Sequence, residues 1–156
     1  MGKEIERKFL VTGKEWKSYS SHSIVFKQGY FKGEKLSASI RVRIEGEVAK
    51  LNIKGATIGI VRDEFEYPIP VDEANQLLAL YCKTPYIEKT RYYVNYKSHL
   101  FEIDEFIGEN QGLVVAEVEL ENVDETISLP DWIGEDVSEQ PKYYNNNLVE
   151  FPFSQW

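Results

Sequence analysis

The sequence is poor in the residues that build stapled or thiolate-bound folds. Among its 156 residues there is one cysteine, one methionine and two histidines. A single cysteine, Cys82, excludes an internal disulfide and any metal site built on thiolates. No apolar run approaches the roughly 20 residues needed to span a membrane. The start, Gly2-Lys3-Glu4-Ile5-Glu6-Arg7-Lys8, is too charged for a secretory signal. Together these absences predict a cytoplasmic protein in a reducing setting. Cations are also in short supply, with 18 Lys plus Arg against 26 Asp plus Glu and a net charge of −8. That balance excludes a general nucleic-acid binder, which needs a broad positive field, but leaves room for a local basic pocket. An apolar fraction of 42% with 13% aromatics is enough for a core, so a disordered chain is excluded too. No repeat or Pro/Gly-rich linker divides the chain, and residues 1–156 read as one domain.

What is present is a period of two, the mark of strands with unlike faces. Glu4, Glu6 and Lys8 alternate with Ile5, Phe9 and Val11 over 3–11, and 24–31 reads as a second strand. Ser39, Arg41 and Arg43 alternate with Ile40, Val42 and Ile44. After a turn at Glu45-Gly46, Lys50, Asn52 and Lys54 alternate with Ala49, Leu51 and Ile53, making a hairpin over 38–54. Arg62, Glu64 and Glu66 share a face opposite Phe65 and Tyr67. Lys89 and Arg91 share a face within 86–94. Glu102 and Asp104 oppose Phe101, Ile103 and Ile107 over 99–107, and Glu117, Glu119 and Glu121 oppose Ala116, Val118 and Leu120 over 113–121. A helix is expected over 72–80, with Asp72 as N-cap and Leu77, Leu78 and Leu80 as its apolar contacts. Short helices are expected at 13–20 and 142–150. The sum is about eight strands and a few short helices, a mainly β, α+β chain.

The polar face of these strands carries charges in place of the mixed Thr, Ser, Lys and Glu of a half-exposed sheet. Two closures are open: charges outside at no desolvation cost, or charges inside a barrel whose apolar exterior is covered by helices and loops. The charges are also sorted. Cations gather as Lys8, Arg41, Arg43, Lys50, Lys54, Arg62, Lys89 and Arg91; carboxylates as Glu4, Glu6, Glu64, Glu66, Asp104, Glu117 and Glu119. Carboxylates two apart on a strand point the same way, about 7 Å from one another. Two facing Glu-x-Glu pairs make an oxygen cage for a hard cation such as Mg²⁺ or Mn²⁺. Arg-x-Arg and Lys-x-Arg on other strands make a wall of donors for phosphate oxygens. A polyphosphate between the two walls satisfies both.

At these residues the chain resembles the CYTH superfamily, the triphosphate tunnel metalloenzymes. Glu4-Ile5-Glu6-Arg7-Lys8 matches its N-terminal Glu-x-Glu-x-Lys signature, and the likeness runs on in order to the end. It passes through Gln28-Gly29-Tyr30, Ile40-Arg41-Val42-Arg43, Leu51-Asn52-Ile53-Lys54-Gly55, Arg62-Asp63-Glu64-Phe65-Glu66 and Glu88-Lys89-Thr90-Arg91. It then takes in Glu102-Ile103-Asp104, Ala116-Glu117-Val118-Glu119 and Lys142-Tyr143-Tyr144-Asn145. The resemblance implies a closed or nearly closed antiparallel eight-stranded β-barrel, a tunnel with a charged interior and short helices outside. It implies metal-dependent hydrolysis of inorganic tripolyphosphate or of a nucleoside or thiamine triphosphate. The alternatives are a class IV adenylate cyclase, which makes cyclic AMP from ATP, and a non-catalytic polyphosphate- or nucleotide-binding module.

The same resemblance implies the roles of individual residues. Glu4, Glu6, Asp104, Glu117 and Glu119 would hold Mg²⁺ or Mn²⁺, with Glu64 and Glu66 assisting. Lys8, Arg41, Arg43, Lys54, Lys89 and Arg91 would hold the triphosphate. Tyr30 would sit near Lys8 and tune its protonation, and Glu4, Glu6, Lys8, Tyr30, Glu64 and Glu66 form the expected catalytic set. Lys142 matches a basic position near the C-terminal helix. The expected partner is a small triphosphate, with no membrane or general nucleic-acid binding; a homodimer is left open. The expected reaction is in-line attack of water on the terminal phosphorus.

Other conspicuous residues read as structural. His22 and His99 are strand-edge residues, and Cys82 is a buried filler. Trp16, Trp132 and Trp156 pack the barrel ends. Tyr143 and Tyr144 anchor the C-terminal helix, and Glu135 to Glu139 form a solvated loop.

Overall fold

The computed structural model describes residues 2–33 and 37–156. Nine strands run β1 (Gly2–Val11), β2 (His22–Tyr30), β3 (Ser39–Glu45), β4 (Val48–Lys54), β5 (Val61–Ile69), β6 (Ile87–Tyr96), β7 (His99–Phe106), β8 (Val114–Glu119) and β9 (Ile133–Asp136). Every pairing is antiparallel, in the order β5-β4-β3-β2-β6-β7-β8-β1-β9, and β5 also pairs with β1. The first eight strands therefore close on themselves, and a closed barrel has no aggregation-prone edge. Closure at the β1–β5 seam covers four partners, Gly2↔Glu64 to Ile5↔Val61. Beyond it β5 diverges, and β9 takes the free edge of β1 through Phe9↔Asp136 and Val11↔Ile133.

The period-two signal was read by the fold with charges inward. On β3, Arg41, Val42 and Arg43 are all buried, Val42 outward and the arginines inward. The apolar exterior is covered in three places. Phe9, Val94, Phe101 and Ile103 lie under Trp16 and Trp132. Ile87, Phe106 and Val115 lie under Tyr143, Leu148 and Val149 near the C-terminus. Val42 and Ala49 lie under α1 (Val71–Tyr81), through Ala74 and Leu78. Removing such area from water contributes about 25 cal/mol per Å², and this offsets the burial of charge within. Among the described residues, no helix is long and apolar enough to cross a membrane.

The helices differ in detail from the sequence pattern. α1 starts one residue early, at Val71, with Pro70 at its N-cap and no side-chain cap. Asp72 lies in the first turn, where its charge still favours the helix dipole. Leu80 is 62% exposed and makes no core contact, because Ala74 and Leu78 define the packed face. The 13–20 segment is a 3₁₀ helix, Glu15–Tyr19, that drives Trp16 into the core. The C-terminal segment splits into a 3₁₀ turn, Pro141–Tyr143, and α2 (Asn145–Glu150). In the β3–β4 hairpin the loop is Gly46-Glu47, with Gly46 at φ 58° where a side chain would be strained. The segment read as a solvated acidic loop contains the end of β9, where Asp136 accepts from Arg7 Nη2 at 2.7 Å. Four residues without apolar alternation give no strand signal; the open edge of β1 recruits them.

Candidate active site

Inward-facing side chains leave a tunnel cavity of about 450 Å³, lined mostly by charged residues. One end continues into a second hollow of about 420 Å³, the two sharing Tyr30, Lys54, Arg62 and Tyr144. Strand alternation supplies the lining: Glu4, Glu6 and Lys8 from β1, Arg41 and Arg43 from β3, Lys54 from β4. Arg62, Glu64 and Glu66 come from β5, Arg91 from β6, Glu102 from β7, and Glu117 and Glu119 from β8.

Carboxylate oxygens of Glu4, Glu6 and Glu119 converge to within 4.8 Å of one another. Glu4 accepts from Lys54 Nζ at 3.0 Å. Glu6 and Glu119 have no cationic partner within salt-bridge distance among the described residues. Burial, then Glu117 and Glu4, push the Glu6 carboxyl well above the usual range. Burial, then Glu102 and Glu4, raise that of Glu119. An all-oxygen trio with one lysine partner among three carboxylates suits a hard divalent cation, so these residues fit the metal that the resemblance implies.

Asp104 and Glu117 are not part of that trio and are paired with cations. Asp104 accepts from Lys89 Nζ at 2.7 Å and is gripped by Arg91. Glu117 accepts from Arg91 Nη2 at 2.6 Å and pairs with Lys8 Nζ at 3.3 Å. Burial raises the Glu117 carboxyl, yet Lys8 and Arg91 hold it well below the carboxylate range. Lys8 in turn is raised, because Glu117 and Glu6 outweigh burial. Burial lowers Lys89 to about 7 against the pull of Asp104. Burial, Arg41 and Arg91 lower Arg43 to about 10.

Most of the tunnel's cations are therefore spoken for. Lys54 bridges Glu4 and Glu64, both at 3.0 Å, and Lys50 joins Glu45 to Glu66, both at 3.3 Å. Arg43 lies 3.4 Å from Glu45 and donates to Gln28 Oε1 at 2.8 Å. Among the described residues, Arg41 and Arg62 are the tunnel-lining cations without a carboxylate partner. Arg41 is 5% exposed and its Nε has no hydrogen-bond partner. Arg62 rests over the ring of Tyr144 at 5.7 Å.

The Tyr30 hydroxyl accepts from Gln28 Nε2 at 3.1 Å and Lys8 Nζ donates to the Tyr143 carbonyl at 3.2 Å, and both residues line the cavity. Tyr144 faces the tunnel, whereas Tyr143 anchors the C-terminal segment, edge-on to Trp156 at 5.0 Å. Lys142 sits outside, 4.2 Å over the Trp156 ring. Gln28, Asn52, Glu102 and Asn145 lie in the matched motifs but carried no assigned role. Asn52 Nδ2 donates to Glu66 at 2.8 Å, and Glu102 accepts from Arg91 at 3.2 Å. Position on an inward strand face was the available signal for Gln28, Asn52 and Glu102. Asn145 comes from an irregular segment that carries no periodicity.

An antiparallel barrel with metal-fit carboxylates at one place in its bore and buried cations at another defines the charged-tunnel class. The chain belongs to the CYTH domain family, whose model matches residues 2–150. It is 45% identical to an inorganic triphosphatase of Acetivibrio thermocellus, over 100% of this chain and 99% of that one. It is 33% identical to an inorganic triphosphatase of Nitrosomonas europaea, over 94% of this chain and 96% of the other. A crystal structure of an inorganic triphosphatase superposes with a TM-score of 0.67 at 32% identity, covering 94% of this chain and 93% of that one.

Proposed function

We propose that this protein is a cytoplasmic, metal-dependent triphosphatase acting on inorganic tripolyphosphate. The observation that carries this is Arg41: a guanidinium 5% exposed, without a carboxylate or hydrogen-bond partner among the described residues, in a wall of paired cations. A buried unpaired charge costs several kcal/mol, and a polyanion in the bore would remove that cost. The names of the relatives support the same substrate.

Glu4, Glu6 and Glu119 would hold Mg²⁺, with Mn²⁺ as a substitute. Such an ion supplies neutralising charge to phosphate oxygens. Arg41 and Arg62 bind phosphate oxygens directly, and Lys8, held near the Tyr144 ring at 5.9 Å, faces the same cavity. The ion pairs of Lys54 and Arg91 fix the positions of their donors before substrate arrives, so little reorganisation accompanies the reaction. Water attacks the terminal phosphorus in line with the bridging oxygen, that P–O bond breaks, and diphosphate leaves as orthophosphate forms. The cations stabilise charge that develops on the leaving oxygen.

The test is orthophosphate release from tripolyphosphate, thiamine triphosphate and ATP, with and without Mg²⁺. Mg²⁺-dependent release from tripolyphosphate is expected. Release from none of them, or cyclic AMP as the product from ATP, overturns the proposal.

A further inference from the structure

Asn145 stands where the C-terminal segment meets the tunnel wall, and its carboxamide has only one orientation the surrounding chemistry allows. Its Oδ1 accepts from Lys89 Nζ at 3.0 Å and from Gln28 Nε2 at 3.2 Å. In its ammonium form, beside Asp104 at 2.7 Å, Lys89 only donates, so the amide oxygen faces it. Gln28 is fixed by the same logic: its Oε1 accepts from Arg43 Nε at 2.8 Å, and a guanidinium also only donates. The Gln28 Nε2 protons are then divided between the Tyr30 hydroxyl at 3.1 Å and Asn145.

Neither Lys89 nor Gln28 lines the cavity, and they are 1% and 0% exposed. Asn145 does line it. Its Nδ2 makes no hydrogen bond to a described residue, yet it is not among the buried polar atoms lacking partners. The donor end of this amide is therefore free at the tunnel surface, held there by two buried donors behind it.

We propose that Asn145 is a substrate-binding residue whose Nδ2 donates to a phosphate oxygen of the polyphosphate, with Lys89 and Gln28 as positioning residues acting through it. This rests on the triphosphatase reading and adds to it a neutral donor from outside the barrel strands. Lys89, expected as a direct phosphate ligand, lies behind the Asn145 amide. In its ammonium form it polarises the carboxamide and strengthens the Nδ2–H toward an anion.

Asn145→Asp separates this role from a structural one. The carboxylate keeps an acceptor for Lys89 and Gln28 but replaces the cavity-facing donor with a negative oxygen. Tripolyphosphate binding is measured by titration calorimetry in EDTA, and KM and kcat with Mg²⁺, for wild type, Asn145→Asp and Asn145→Ala. Asn145→Asp is expected to weaken binding and raise KM by about tenfold or more, with its thermal midpoint unchanged or higher. Asn145→Ala is expected to raise KM by about threefold or more and to lower the midpoint, since Lys89 loses an acceptor. Wild-type affinity and KM in Asn145→Asp, or in Asn145→Ala should the Asp variant not fold, overturns the assignment while leaving the triphosphatase reading intact. A wild-type protein that neither binds nor hydrolyses tripolyphosphate overturns both.

Discussion

Arg91 holds Asp104 through two parallel hydrogen bonds, Nε to Oδ1 at 2.7 Å and Nη2 to Oδ2 at 2.8 Å. Asp104 is 0% exposed, and Lys89 closes on it from the other side. One carboxylate thus pairs with two buried cations, and removing it leaves Lys89 with no carboxylate partner among the described residues and Arg91 with only Glu117 and Glu102. Asp104→Ala is expected to cost about 3–5 kcal/mol of stability. Urea unfolding checks this, and a midpoint within error of wild type would show that the trio carries no structural burden.

The opposite sign is expected where like charges converge. Glu6 makes no ion pair among the described residues, and burial, Glu117 and Glu4 raise its proton affinity against the pull of Lys54 and Lys8. Glu6→Gln should leave the metal-free protein as stable as wild type or more so. Mg²⁺ should raise the melting temperature of wild type by mass action on the folded state, and that rise should be largely lost in Glu6→Gln and Glu119→Gln. Differential scanning calorimetry with and without Mg²⁺ reads both effects.

The fold was unusually legible in this chain. Alternation over 39–54 and 113–121 placed β3, β4 and β8 to within a residue or two. Alternation alone could not say which face points inward, because a charged face suits solvent as well as a tunnel; the resemblance decided it, and the buried Arg41 and Arg43 bear it out. The site was less legible. Glu4, Glu6 and Glu119 converge, but pairing is a property of barrel stagger rather than of spacing. Asp104, Glu117, Lys89 and Arg91 therefore form a network of their own. β9 and Asn145 lie in segments shaped by tertiary contact, where no periodicity announces them.

At Gly29 the barrel backbone passes close under the helix. A Cβ there would lie 2.7 Å from Leu78 Cδ2 and 3.0 Å from Cys82 Cβ. Gly29→Ala should push α1 off β2 and cost about 1–3 kcal/mol by overpacking. Chemical denaturation of the variant measures it.

Cys82 lies 2% exposed beneath the same helix, and burial pushes its thiol up to about 11. The unfolded thiol ionises near its ordinary value, so between the two values the unfolded state binds fewer protons and stability falls as pH rises. Below that window the native thiol stays protonated and inert. Alkylation by iodoacetamide at pH 8 should be slow in the folded protein and fast in urea. Rapid native labelling would mean that α1 opens readily.

Arg41 is the buried tunnel cation without a carboxylate or hydrogen-bond partner among the described residues. The direct measurement is tripolyphosphate hydrolysis by Arg41→Ala, with its denaturation midpoint determined on the same preparation. The expected result is a fall in kcat/KM of about 100-fold or more with a midpoint equal to or above wild type, because no ion pair is broken. Wild-type turnover, or loss of activity that follows collapse of the fold, would contradict it.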